Sequence, residues 1–263
     1  MNVFFSITCF LASIQCFAQW VKFNDSNPIA SQISLDGDSL TILAGTNPAG
    51  IIKERVVLQS DFTIHYGLSE LQSLRFAGAY SKNRKTFSLR FYRFGITEFN
   101  TRALDTSVAF SSGFSSFGIR LRYQEDHLGP KVQRVFNIDA GVWMKPHRLL
   151  LIETRLNGIL QPVMGREVQK PVSVVQSLYF LVSRQCILNV EWNKTIYSPA
   201  SIVFNMLYKP RDSLIFEGGV MLLSQSFKTG IGFKKSRYTF FYHYFQHFLL
   251  GGSHQWNVRY GLF

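Results

Sequence analysis

From Gly50 to its last residue the chain alternates apolar and polar side chains with a period of two. That period belongs to half-buried strands, because successive side chains of a strand point to opposite faces. "FGIRLRYQ" sets Phe117, Ile119, Leu121 and Tyr123 against Gly118, Arg120, Arg122 and Gln124. "FNIDAGVWM" sets Phe136, Ile138, Ala140, Val142 and Met144 against Asn137, Asp139, Gly141 and Trp143. "LLIETRLN" and "FKTGIGF" split the same way, the first with Glu153, Arg155 and Asn157 on the polar side. Helical spacing fits these windows poorly, and the glycines inside them would weaken a helix.

The pattern predicts strands over 55–66, 71–81, 86–98, 103–112, 115–124, 133–144, 148–158, 172–182, 186–194, 200–208, 214–223, 227–233, 238–247 and 254–263. Transmembrane strands of about 9–11 residues would use roughly 150 residues, leaving about five for each connection, a normal hairpin length. A soluble β-sandwich also alternates, but its outward face is solvated and charged, with few aromatics. Here one face is mainly Phe, Leu, Ile, Val and Tyr, and the other holds Gly, Ser, Asn and charges of both signs. Apolar outside and polar inside is the arrangement of a membrane barrel. The expected fold is all-β, a transmembrane antiparallel β-barrel of about 14 strands.

The N-terminus agrees with export. "MNVFFSITCFLASIQCFA" has no charged side chain, is mostly apolar from Val3 to Ile14 and ends with small residues spaced for cleavage after Ala18. Residues 1–18 read as a signal peptide, 19–50 as a separate N-terminal segment and 51–263 as the barrel. No later stretch has the about 18 uninterrupted apolar residues that a membrane helix needs. Of 3 cysteines two lie in the leader, so Cys186 has no intramolecular disulfide partner in the mature chain. The expected location is the Gram-negative outer membrane, with outer-membrane lipid as the surrounding partner. The charge of +12 could signal nucleic acid, but no nucleic-acid motif occurs and export argues against it.

Connections fall into two classes. "SKNRK", "KPH", "SRQ", "KPRDS" and "KKSR" are short and basic, while 159–171, 125–132, 195–199 and 248–253 are mostly longer. Short turns belong on the periplasmic side, which makes the basic ones a periplasmic ring. That ring is either a solvated rim or a docking surface for an acidic periplasmic partner or anionic lipid phosphates.

The polar face carries Arg90, Asp105, Arg120, Arg122, Asp139, Glu153, Arg155, Glu191, Glu217, Lys228 and Arg259. Pointing into a lumen, these charges must pair. They make either a salt-bridged interior that holds the barrel's shape or a polar conduit. No catalytic motif of the elbow, zinc or phosphate-loop kind is present. His243 and His247 would sit about 13 Å apart on a strand, too far to share an ion. No enzyme activity, metal or cofactor is expected.

"LAGTNPAGII" stands at the entrance to the strands. Asn47, Pro48, Ala49 and Gly50 combine a side chain that bonds nearby backbone, a fixed φ and a permissive glycine. This box, "EFNTRALDTSVAFSSGFSSFGIRLRY", "FNIDAGVWMKPHRLLLIETRLNG" and the terminal "LLGGSHQWNVRYGLF" together resemble the PorV/PorQ family. Those are FadL-like outer-membrane barrels associated with type IX secretion. The shared features are the Asn-Pro-Ala box, an Asp-x-Gly strand, an Asn-Gly strand end and a Leu-Gly-x-Ser-His element before the last strand. The resemblance implies a barrel whose N-terminal segment plugs the lumen from the periplasmic side, with residues 47–50 as the turn that seats it. It also implies a role in protein secretion or surface attachment and secretion-system components as partners. The alternative is a FadL-like channel for small hydrophobic molecules.

Overall fold

The computed structural model describes residues 33–36, 39–42, 47–50, 55–97, 99–160, 172–196, 198–222 and 226–262. The expected leader, 1–18, and most of the expected 19–50 segment lie outside them. A short antiparallel pair comes first, β1 (Ile33–Asp36) and β2 (Ser39–Ile42). Then follow β3 (Val56–Ile64), β4 (Gln72–Lys82), β5 (Lys85–Gly95), β6 (Phe99–Ser111), β7 (Ser115–Leu128), β8 (Lys131–His147) and β9 (Leu150–Leu160). The second half is β10 (Ser173–Ser183), β11 (Cys186–Thr195), β12 (Ser201–Arg211), β13 (Leu214–Met221), β14 (Ser226–Lys235), β15 (Tyr238–His247) and β16 (Gly251–Leu262). β3 to β16 form a closed antiparallel barrel of fourteen strands, each paired with its chain neighbours and β16 with β3. Closure leaves no unpaired strand edge, the condition for crossing a bilayer with strands.

Alternation decides the two faces. Phe117, Ile119, Leu121 and Tyr123 are 38–49% exposed on the outside of β7, whereas Arg120 between them is 6% exposed. Every other strand repeats this, so an apolar belt surrounds the barrel and polar side chains point into it. Aromatic side chains border the belt. Tyr238 and Tyr260 are cross-strand partners near the chain-terminal end, with ring centroids 5.0 Å apart. Trp256 and Phe62 pair at 5.9 Å, nearer the other end. Such girdles mark the two membrane interfaces of an outer-membrane barrel.

The barrel's two ends differ. At the end holding the start of β3 and the finish of β16, turns of two or three residues join β4–β5, β6–β7, β8–β9, β10–β11, β12–β13 and β14–β15. Asn83 and Arg84 both have positive φ, the backbone of a tight two-residue hairpin. At the opposite end lie the longer connection 65–71, the finish of β9 and the start of β10. The short-turn end is therefore periplasmic. One expected long connection is corrected. Residues 125–132 are almost wholly strand, with β7 and β8 joined by Gly129-Pro130 alone. Alternation continues through Gln124, Asp126 and Gln133, so pairing runs on to the turn.

Candidate functional site inside the barrel

Three inward-facing rungs on β7 and β8 build the centre of the site. They are the cross-strand pairs Ser116–Trp143, Gly118–Gly141 and Arg120–Asp139. The middle rung has no side chain from either strand, and Asn47-Pro48-Ala49-Gly50 occupies the space. A Cβ on Gly118 would collide with the Pro48 carbonyl and lie 2.7 Å from the Ala49 nitrogen. A Cβ on Gly141 would strike the Asn47 side chain and come within 2.9 Å of Pro48 Cδ. Ala109, the partner of Gly118 on β6, extends this floor of small residues.

The box is shaped from within and held from without. Its Gly50 amide donates to the Asn47 carbonyl at 2.9 Å, closing a turn. The Ala49 amide donates to Asn47 Oδ1 at 2.7 Å, the local bond that makes asparagine a turn former. The Ala49 carbonyl accepts from Ser116 Oγ at 2.8 Å and Trp143 Nε1 at 3.0 Å. All four box residues are buried. Ala49 joins an apolar cluster of Trp143, Leu151, Tyr179, Leu181, Ile187 and Leu207, all inside the barrel. The box thus lies in the lumen, against a wall four strands removed from β3.

The third rung starts an ion-pair network. Arg120 binds Asp139 through Nε at 2.8 Å, and Asp139 also accepts from the Gly158 amide at 2.7 Å. That amide is available because the β8–β9 register shifts between Ile138 and Ala140, where Gly158 adopts positive φ. Arg120 also reaches Asn157 Oδ1 at 3.4 Å. The Asn-Pro-Ala, Asp-x-Gly and Asn-Gly motifs, far apart in sequence, therefore meet at one place. Asp105 pairs with Arg90 and, at 2.9 Å, with Arg122, each its direct cross-strand neighbour.

A second network crosses β9, β10 and β11. Arg155 lies 3.0 Å from Glu153 and 2.9 Å from Glu191, while Tyr179 donates to Glu153 at 2.8 Å. A third joins Glu217 to Lys228 at 2.7 Å and to His243 Nε2 at 3.3 Å. Arg259 is half-buried on the inward side of β16. Further inward charges include Asp61 and Arg75. Asp61 accepts from Asn257 at 2.5 Å and Gln59 at 3.2 Å, and Arg75 sits 5.7 Å from the Tyr92 ring centre. The signal was present in the alternation of Val57, Gln59, Asp61 and Thr63. Ser253, in the Ser-His element, accepts from the Tyr66 amide at 3.0 Å and pins the β3–β4 connection.

The short periplasmic turns carry Lys82, Arg84, Lys85, Lys145, Arg148, Arg184, Lys209, Arg211, Lys234, Lys235 and Arg237. Among their described residues only Asp212 offsets these, 3.2 Å from Lys209.

No family model matches the sequence, and no curated protein does. Solved structures do. The CymD monoaromatic hydrocarbon channel superimposes with a TM-score of 0.61 at 11% identity, over 81% of this chain and 89% of that one. The Acinetobacter baumannii outer membrane protein Omp33 gives 0.53 at 8% identity, over 80% and 98%. This chain has the fold of an outer-membrane β-barrel. Its exposed apolar belt needs a bilayer around it, and its strands, rather than any helix, cross that bilayer.

Proposed function

We propose that this protein is a non-enzymatic outer-membrane barrel of PorV/PorQ type that serves protein secretion or surface attachment. The observation that carries this reading is the seated box. A barrel with residues 47–50 locked onto its inner wall, beside ion pairs that brace the same wall, suits an anchor and docking platform better than an open pore. In this reading the 19–50 segment plugs the lumen, and residues 47–50 are the turn that holds it. The basic periplasmic turns then receive an acidic partner, such as a component of the secretion apparatus, by charge complementarity.

The test is a deletion of the gene combined with cross-linking of the tagged barrel in cells. Secreted or surface-attached proteins should be lost or retained abnormally, and secretion components should cross-link to the periplasmic turns. An unchanged set of exported proteins and no periplasmic cross-link would refute the role.

A second reading is a channel for small hydrophobic molecules, in the manner that the CymD structure's name describes for that protein. The apolar cluster of Trp143, Leu151, Tyr179 and their neighbours inside the lumen favours it. Deleting residues 19–44 separates the readings. A plug predicts low conductance for the whole chain in planar bilayers and a clear rise on deletion, whereas a standing channel predicts little change.

A further inference from the structure

Outside the barrel, near the end opposite the short turns, one row breaks the apolar pattern. Arg93 on β5 faces Arg102 on β6, Arg102 faces Glu125 on β7, and Glu125 faces Arg134 on β8. Arg93 and Arg102 are both exposed and outward-facing. Directly opposed side chains on one face lie about 5 Å apart at Cβ, and like charges there repel. The only carboxylate in the row is committed elsewhere. Glu125 Oε1 accepts from Tyr123 at 2.6 Å and from Arg134 Nε at 3.0 Å. No hydrogen bond or ion pair joins Arg93 or Arg102 to a described residue.

Height defines what can answer this charge. Two residues towards the periplasm on the same strands stand Phe91, Leu104, Tyr123 and Phe136, the top of the lipid-facing belt. At about 3.3 Å per residue and a tilt near 40°, the guanidinium-bearing residues lie about 5 Å above it along the bilayer normal. That is where headgroup phosphates meet the hydrocarbon. Water and mobile ions weaken the repulsion of two exposed guanidiniums, and an anion bound between them turns it into attraction. A phosphate can accept from both, and arginine's planar fork matches its oxygens.

We propose that Arg93 and Arg102 form a binding site for the phosphate of an outer-leaflet lipid headgroup, with Arg134 and Glu125 fixing the edge of the site. The site holds the lipid against the β5–β8 wall, on the outside of the strands whose inner faces carry the seat for residues 47–50. It is independent of any role in secretion.

The test uses the full-length barrel purified in mild detergent, with native mass spectrometry after adding phosphatidic acid or, as the phosphate-free control, diacylglycerol. The wild type should retain phosphatidic acid and not diacylglycerol. The R93Q/R102Q variant should retain at least about tenfold less, because both charge-assisted contacts are gone. A K235Q/R237Q variant, altered at the opposite rim, should bind like the wild type. Equal retention of the two lipids by the wild type overturns the proposal without needing any variant. So does undiminished binding by R93Q/R102Q, or loss of the lipid to an equal concentration of inorganic phosphate, which would mark a free-anion site instead.

Discussion

The β7–β8 wall and the β13–β15 wall both place glycines on the inward face, and they use them in opposite ways. On β14, Gly230 lies opposite His243 and Gly232 opposite Phe241. Each ring folds over its glycine, so that a Cβ there would meet ring atoms. The gap is filled by the next strand, and His243 thereby reaches across to Glu217. On β7 and β8 the two glycines oppose each other, Gly118 to Gly141. Neither neighbour can fill the space, and a segment from outside the barrel strands does. An inward glycine is thus an internal packing device when it faces a large residue and a docking seat when it faces another small one.

The comparison can be broken most forcefully at the charges beside each seat. Arg120→Met takes from Asp139 its paired guanidinium, and Lys228→Met takes from Glu217 the ammonium 2.7 Å away. Each should lower stability by about 3–5 kcal/mol, the cost of orphaning a buried charge, read from urea unfolding in lipid vesicles. Hydrogen exchange in the 47–50 box should rise only with Arg120→Met. If both variants expose the box equally, the two walls are not separate units.

The glycines themselves come next. The G118A/G141A pair should expel the box, removing the Ser116 and Trp143 bonds to Ala49 and its burial, at about 2–3 kcal/mol. Exchange at the Ala49 and Gly50 amides should then approach that of a free peptide. Gly230→Ala meets only a side chain that can swing aside. It should cost about 1 kcal/mol through the weakened His243–Glu217 contact, leaving box exchange untouched. Box protection that survives G118A/G141A would show that the seat is not what holds it.

The smallest effect belongs to the box's own stiffness. Pro48→Ala frees the unfolded segment rather than removing a native bond, so seating should weaken by about 0.4–1 kcal/mol. The measurement is a modest rise in amide exchange without any shift in the barrel's unfolding midpoint. A loss as large as that of the glycine pair would mean that the proline ring's packing on Gly141 dominates.

Much of the candidate site could be reached by parity. Counting alternate positions from Phe117 puts Ser116, Gly118, Arg120 and Arg122 on one side, and from Phe136 puts Asp139, Gly141 and Trp143 there too. The same count on β3 and β4 puts Asp61 and Arg75 inside. It could not reach His243 as a partner of Glu217. The two are 26 positions apart and meet only because β13, β14 and β15 align Glu217, Gly230 and His243 in one row. Nor could it show that 125–132 stays paired, because loops and strand ends share polar residues.

The sequence alone determined the fold class, the strand number and the face that each side chain takes. These follow from a local rule, since the period of two is a property of each strand separately. Only the tertiary structure decided which inward residues meet. Pairing depends on register between strands, where a slip of one residue exchanges the two faces, and on closure of the ring. Closure brings residues 47–50 against glycines 118 and 141, a contact that no local pattern in the chain encodes.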